Sequence, residues 1–152
     1  MPAEIKKRQK VDLWLDLGAH FTVTMVLAVY FYLQKGSVIW PVLCIIGGIL
    51  IDLDHFIDYF VCYGPRFDLR HFLYGGYLRT GKFYVVFHSW ELLILLWVLS
   101  RWQALIFPLV LSMTGHMLID QFLITVKKPL SYSIIYRYLH RFDVRKTFPE
   151  EG

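Results

Sequence analysis

Four long apolar stretches, each close to the length of a membrane-spanning helix, constrain this chain more than any other feature of its sequence. They cover residues 13–33, 38–60, 83–100 and 102–126. A helix needs about 20 apolar residues to cross a hydrocarbon core of ~30 Å. Only 18% of the residues are charged and 57% are hydrophobic, whereas soluble domains average about 25% charged residues. The sequence predicts an all-α integral membrane protein, a single domain formed by a four-transmembrane-helix bundle.

The basic residues predict the orientation of the four spans. Fourteen Lys and Arg residues lie in the N-terminal segment, the loop 61–82 and the tail 127–152, whereas the two short turns contain only Lys35 and Arg101. Because basic residues concentrate on the cytoplasmic side of a membrane, we expect both termini to be cytoplasmic and the protein to lie in the cell inner membrane. The net charge of +4 is therefore interpreted as a topology signal, and no nucleic-acid partner is predicted.

The loop 61–82 and the tail 127–152 both mix aromatic and basic residues, which predicts interfacial helices. In the tail, arginines recur at every fourth position, 137, 141 and 145, beside an apolar face, as in a helix that lies on a membrane surface. The predicted partners are membrane lipids, and the apolar spans also allow an oligomer. The basic residues either anchor the chain on anionic headgroups or hold a substrate phosphate; the candidates for the second role are Arg66, Arg70 and Arg79.

Ionisable side chains interrupt the apolar spans, although an Asp at a helix centre costs about 2.5–3.5 kcal/mol. Many lie three or four residues apart and so share a helix face, and no Lys or Arg lies within the apolar cores to pair with them. In the predicted topology, every cluster falls in the cytoplasmic half of its span. Histidines and carboxylates are ligands for zinc and other divalent metals. The predicted ligands are His20, Asp52, Asp54, His55, His88, His116 and Asp120.

Four short motifs occur in an order that resembles a known family. They are Gly18-Ala19-His20, Asp52-Leu53-Asp54-His55, His88-Ser89 and Gly115-His116-Met117-Leu118-Ile119-Asp120. The chain thereby resembles the YdjM-like membrane-bound metal-dependent hydrolases, a LexA-binding, inner-membrane-associated family with the motifs G-H, P-D-I-D-H, H-R-G-x-T-H-S and H-x-x-x-D. Ile51 stands where that family has proline, and Phe83, Tyr84 and Val85 stand at its His-Arg-Gly positions. The resemblance implies a metal-dependent hydrolase.

The leading hypothesis is a cytoplasm-facing intramembrane hydrolase that acts on a lipid or an amphiphilic ester or phosphoester. One or two divalent ions, zinc or alternatively manganese or iron, would lower the pKa of bound water and polarise the scissile group. Asp58 or Glu91 is the candidate general base, because a carboxylate near such a water can take its proton.

Three other functions fit the same residues. Mixed His and carboxylate ligation in a helix bundle also suits a di-iron redox enzyme. A metal or proton transport protein is a second alternative, although the outer halves of the spans are almost purely apolar. The third alternative is a scaffold whose buried histidines merely pack, and this one predicts that no metal is bound.

Overall fold

The computed structural model describes residues 3–73, 81–123 and 129–147. Within these ranges the chain is mostly helical and forms no β-strand, which confirms the predicted all-α class. It divides into two compact units. The first contains residues 1–50 and 96–124, and the second contains residues 51–95 and 125–152.

The first unit is formed by three helices that pack against one another: α1 (Ala3–Lys35), α2 (Ile39–Gly48) and α6 (Ile106–Leu123). Helix α1 ends at Lys35 and is followed by Gly36, whose φ of 63° provides the left-handed conformation common after a helix C-terminus. Ala28, Phe31 and Cys44 form a buried apolar cluster between α1 and α2. The unit therefore has its own hydrophobic core.

Two adjacent glycines, Gly47 and Gly48, allow the helices of the first unit to approach closely. A Cβ atom at Gly47 would collide with the backbone carbonyl of Leu109 on α6. One at Gly48 would collide with the hydroxyl groups of Thr24 and Ser112. The second glycine thus brings polar side chains of α1 and α6 against α2.

The second unit combines short helices with an extended segment. Its helices are α3 (Leu53–Tyr63), α4 (Leu69–Leu73), α7 (Ile134–Leu139) and α8 (Val144–Thr147). Helix α5 (Trp90–Leu99) begins in this unit and ends in the first. The non-helical segment before α5 bonds to the tail, because Phe83 N–H donates to the carbonyl of Phe142 and Val144 N–H donates to that of Gly81.

Only part of the predicted span pattern occurs as continuous apolar helix. Among the described residues, Trp14–Lys35 is long and apolar enough to cross a membrane, which matches the first predicted span. The second span is interrupted after Gly48 and resumes at Leu50, so it counts as a crossing only when Ile39–Gly48 and Leu50–Val61 are taken together. The fourth is helical over Ile106–Leu123, and its predicted last residues, 124–126, lie outside the described residues.

The predicted helix over residues 83–100 is wrong in its first part, because α5 begins only at Trp90 and contains 10 residues. The backbone of residues 84–88 instead bonds to side chains: Asp54 and Asp58 accept from its N–H groups, and Arg137 donates to its carbonyls. These bonds replace the helical ones, so an apolar sequence adopts a non-helical conformation.

The predicted interfacial helix of the tail is also interrupted. Arg141 and Phe142 have positive φ values of 56° and 57°, and they separate α7 from α8. The apolar face remains exposed, with Tyr138 at 70% and Leu139 at 71% exposure. Arg137, however, is fully buried, so the prediction that it lies beside Arg141 on a headgroup-facing surface is wrong.

Candidate metal centres

The predicted ligands gather in two clusters, one in each unit. Within each cluster, one nitrogen or oxygen atom per residue lies within 4.8 Å of the others, so each could hold a metal ion. We call them the His116 group, in the first unit, and the His88 group, in the second. The His116 group consists of His20, His116 and Asp120, and the His88 group consists of Asp52, His55 and His88.

Both histidines of the His116 group use Nδ1 for a hydrogen bond to the backbone. Nδ1 of His20 lies 2.9 Å from the carbonyl oxygen of Asp16, one turn earlier on α1. Nδ1 of His116 lies 2.9 Å from the carbonyl oxygen of Gly48 at the end of α2. Because a carbonyl can only accept, each Nδ1 carries the hydrogen, which leaves the lone pair of a neutral imidazole on Nε2. Metal-ligating histidines are typically oriented in this way.

The two Nε2 atoms of the His116 group face a single carboxylate. Nε2 of His20 lies 3.1 Å from Oδ1 of Asp120, and Nε2 of His116 lies 3.6 Å from Oδ2. The imidazole centroids are 4.0 Å apart, and all three side chains are buried. Nitrogen and oxygen lone pairs repel at these distances unless a proton or a cation lies between them. This donor set therefore fits a divalent ion.

The His88 group repeats this arrangement in the second unit. Nδ1 of His88 lies 3.0 Å from Oδ1 of Asp54 and donates to that carboxylate, so Nε2 is directed away from it. Nε2 of His88 lies 3.3 Å from Oδ1 of Asp52, and Nε2 of His55 lies 3.7 Å from the same oxygen. The side chain of Asp52 is 43% exposed while His88 is fully buried, so this group is accessible from one side.

Asp54 does not lie among the converging atoms, although it is one of the predicted ligands. Its Oδ2 accepts hydrogen bonds from the backbone N–H groups of Phe87 and His88, at 2.9 and 3.2 Å. Both of its oxygens also lie within 3.1 Å of Nδ1 of His88. Asp54 therefore orients a predicted ligand from behind, as carboxylates commonly do beside metal-bound histidines.

The two candidate general bases differ in how their oxygens are used. Oδ2 of Asp58 accepts from Tyr84 N–H at 2.9 Å, whereas its buried Oδ1 has no hydrogen-bond partner among the described residues. Both oxygens of Glu91 are engaged by the tail: Oε1 accepts from the Ser133 hydroxyl at 2.5 Å, and Oε2 accepts from Ile134 N–H at 2.9 Å. Oδ1 of Asp58 can therefore accept a proton or a hydrogen bond, whereas both oxygens of Glu91 already hold the tail.

The predicted headgroup-binding arginines lie in the second unit or outside the described residues. Arg66 and Arg70 are exposed, the first before α4 and the second within it. Arg79 lies outside the described residues. The structure leaves the first two side chains accessible to an anion.

Two features of these centres were missed in the sequence. Thr24 and Ser112, both buried, extend the His116 group by one helical turn on α1 and α6, and their i, i+4 spacing from the histidines was a usable signal. The buried guanidinium of Arg137, which donates to the carbonyl oxygen of His88 at 2.9 Å, had no such signal, because its spacing from Arg141 suggested an exposed face.

Comparison of the chain with protein-family models, with curated proteins and with solved structures gives no match in any of the three.

Proposed function

We propose that this protein is a membrane-embedded, metal-dependent hydrolase that acts on a lipid or another amphiphilic ester or phosphoester. One observation carries the proposal. In both groups, histidines direct Nε2 towards a carboxylate, and His20, His116 and His88 hold their Nδ1 hydrogens on fixed acceptors. Such paired orientation is what a divalent ion requires of its ligands.

The donor atoms favour zinc. Imidazole nitrogens and carboxylate oxygens suit zinc, and manganese or iron would be the alternatives. We expect one ion at each group. Three protein ligands leave a coordination position for water or substrate, which is the usual composition of a catalytic zinc site.

We assign the reaction to the His88 group, because its Asp52 is partly exposed whereas the His116 group is buried throughout. Asp52, His55 and His88 would hold a divalent ion there, and the ion would supply Lewis-acid activation of water and of the scissile carbonyl or phosphoryl oxygen. Asp58 lies one helical turn beyond Asp54 on α3, and its Oδ1 can take the proton of the attacking water. Arg66 and Arg70 would bind an anionic headgroup of the substrate.

Membrane embedding and topology form the second part of the proposal. Four crossings with both termini cytoplasmic account for fourteen basic residues on one side against two on the other. Large apolar side chains are exposed along α1, including Trp14 at 65% and Leu33 at 74%, as expected of a surface that faces lipid. Helix α5 has 10 residues and a length of about 15 Å, so a third crossing would also use the non-helical residues that precede it.

The interior of the first unit favours an enzyme over a transport protein. Among the described residues, the buried polar side chains of this unit extend from the His116 group to Thr24 and Ser112, and the buried cluster of Ala28, Phe31 and Cys44 lies beyond them, later on α1 and earlier on α2. An ion moving through this unit would have to cross that apolar cluster, whose one metal-binding group is the thiol of Cys44. A di-iron redox enzyme remains compatible with the donor atoms, and the identity of the bound metal distinguishes it from a hydrolase.

The test is to purify the protein in detergent, measure bound metal by elemental analysis and assay hydrolysis of lipid esters and phosphoesters. We expect two zinc ions per chain, and we expect His88→Ala to lose the ion of its own group together with turnover. His140→Ala is the matched control, because His140 lies in neither group and should retain both. Turnover that persists in metal-free protein would contradict the mechanism, and bound iron with a redox-dependent optical spectrum would favour the alternative.

A further inference from the structure

The guanidinium of Arg137 is buried against the segment that carries His88. The side chain is fully buried. Nη1 donates to the carbonyl oxygens of Tyr84 and Val85 at 2.8 and 2.6 Å, and Nη2 donates to that of His88 at 2.9 Å. The guanidinium also lies 5.6 Å from the centre of the Phe83 ring. One planar side chain thus binds three carbonyls within five residues.

The same segment is bound from its other side by carboxylates of α3. Asp58 accepts from the N–H of Tyr84, and Asp54 accepts from the N–H groups of Phe87 and His88. We call residues 84–88 the His88 loop. Four of its five N–H groups bond to these two carboxylates and three of its carbonyls bond to Arg137, so side chains satisfy most of its backbone as helical or strand bonds would elsewhere.

The charge of Arg137 is balanced by these carboxylates. Burial lowers the pKa of Arg137 from its ordinary value, while Asp54, Asp58 and Glu91 raise it. A guanidinium does not lose its proton in proteins, so the contact is that of a permanent cation. Removing it would leave three loop carbonyls without their donor.

We infer that Arg137 is a positioning residue that fixes the His88 loop and, through it, the imidazole of His88. His88 is held at both ends, its carbonyl oxygen by Arg137 at 2.9 Å and its Nδ1 by Asp54 at 3.0 Å. The hydrogen bond from Arg137 fixes the position of the His88 backbone, and the hydrogen bond to Asp54 fixes the orientation of the imidazole ring. That Nε2 of His88 is a metal ligand belongs to the proposed function, and this inference rests on the proposed function for that point.

The tail brings Arg137 to the loop through a second contact. The Ser133 hydroxyl and the Ile134 N–H both donate to Glu91 at the start of α5. Ser133 also caps α7, since its hydroxyl oxygen accepts from Tyr136 N–H. Glu91 therefore anchors the first turn of α7, and Arg137 projects from the next turn towards the loop. A tail segment that appears interfacial in the sequence thereby supports a candidate metal centre.

Arg137→Gln tests the inference, with Arg141→Gln as the matched control because Arg141 is exposed four residues further on. The first readout is hydrogen exchange of metal-free protein. We expect the amides of the His88 loop to exchange at least tenfold faster in Arg137→Gln and unchanged in the control. The second readout is zinc titration. The binding that His88→Ala removes should weaken by about 10–100-fold in Arg137→Gln, as for other outer-shell partners.

The outcomes test the inference about Arg137 and the proposed function separately. Unchanged loop exchange in Arg137→Gln would overturn the inference, and so would faster exchange with unaltered zinc affinity. A wild-type chain that binds no zinc would overturn the proposed function instead, and the exchange experiment alone would then decide whether Arg137 fixes the loop.

If Arg137→Gln does not fold, Arg137→Lys replaces it with the same expectations, because an ammonium keeps the charge but cannot bridge three carbonyls in one plane. In a final experiment, added guanidinium ion should restore slow exchange of the His88 loop amides to Arg137→Ala.

Discussion

Asp120→Asn is the sharpest test of the His116 group, because it keeps the shape of the side chain while removing its charge and one of its acceptor oxygens. The carboxylate faces two Nε2 atoms at 3.1 and 3.6 Å. An amide offers a neutral oxygen on one side and donor hydrogens on the other, so it is a poor substitute for a carboxylate ligand. We therefore expect the variant to fold and to lose its response to zinc.

The magnitude follows from linkage between binding and folding. A ligand present at 100 times its Kd stabilises the native state by about 2.7 kcal/mol. For a chain of this size, about 1 kcal/mol shifts Tm by roughly 2–4 °C, so zinc should raise Tm by roughly 5–10 °C. Loss of a direct ligand should cost at least the ~100-fold in affinity that outer partners cost. At the same zinc concentration, the stabilisation then falls to about 0.4 kcal/mol, which corresponds to roughly 1 °C.

The assay is thermal unfolding in detergent with and without zinc, in a chain that carries His55→Gln so that only the His116 group responds. Asp68→Asn is the control, because Asp68 is exposed and its Oδ1 only accepts from His71 N–H, which Asn preserves. A zinc-induced shift of the same size in Asp120→Asn and in the control would refute the reasoning, since Asp120 would then not be a ligand.

Three further predictions concern residues around the two groups. Asp54→Asn should weaken zinc binding at the His88 group by about 10–100-fold by releasing Nδ1 of His88, as measured by zinc titration; unchanged affinity would contradict the orienting role. Gly48→Ala should destabilise the chain by about 1–3 kcal/mol, because its Cβ collides with Thr24 and Ser112. Gly18→Ala is the control and should not destabilise the chain, because a Cβ there meets nothing within 4 Å. Equal melting temperatures of the two variants would contradict this prediction. Glu91→Gln should cost about 1–3 kcal/mol and expose the tail to proteolysis at low protease concentration, and an equally resistant tail would show that the contact with Ser133 contributes little.

Part of each candidate metal-binding group is predictable from the sequence, because some of its members are close in sequence. His116 and Asp120 are i, i+4 on one helix, and Asp52 and His55 are i, i+3, so each pair needs only regular or nearly regular helix to share a face. Helical periodicity carries this information without any knowledge of the tertiary structure.

The His88 loop could not be predicted, because its conformation depends on residues distant in sequence. Its sequence, Tyr-Val-Val-Phe-His, is as apolar as the helix that follows it. Whether it is helical depends on Asp54 and Asp58, about 30 residues earlier, and on Arg137, about 50 residues later. Hydrophobic patterning cannot distinguish an apolar helix from an apolar loop whose backbone is bound by buried charges.

Five carboxylates in and around the two groups fall into two classes according to what their oxygens face. Asp54, Asp58 and Glu91 accept hydrogen bonds from backbone N–H groups and thereby hold loop or tail in place. Asp120 and Asp52 instead face Nε2 atoms of histidines. Asn substitutions should therefore separate the classes: at the first three positions they should act on stability or ligand orientation, and at Asp120 and Asp52 they should act directly on metal binding.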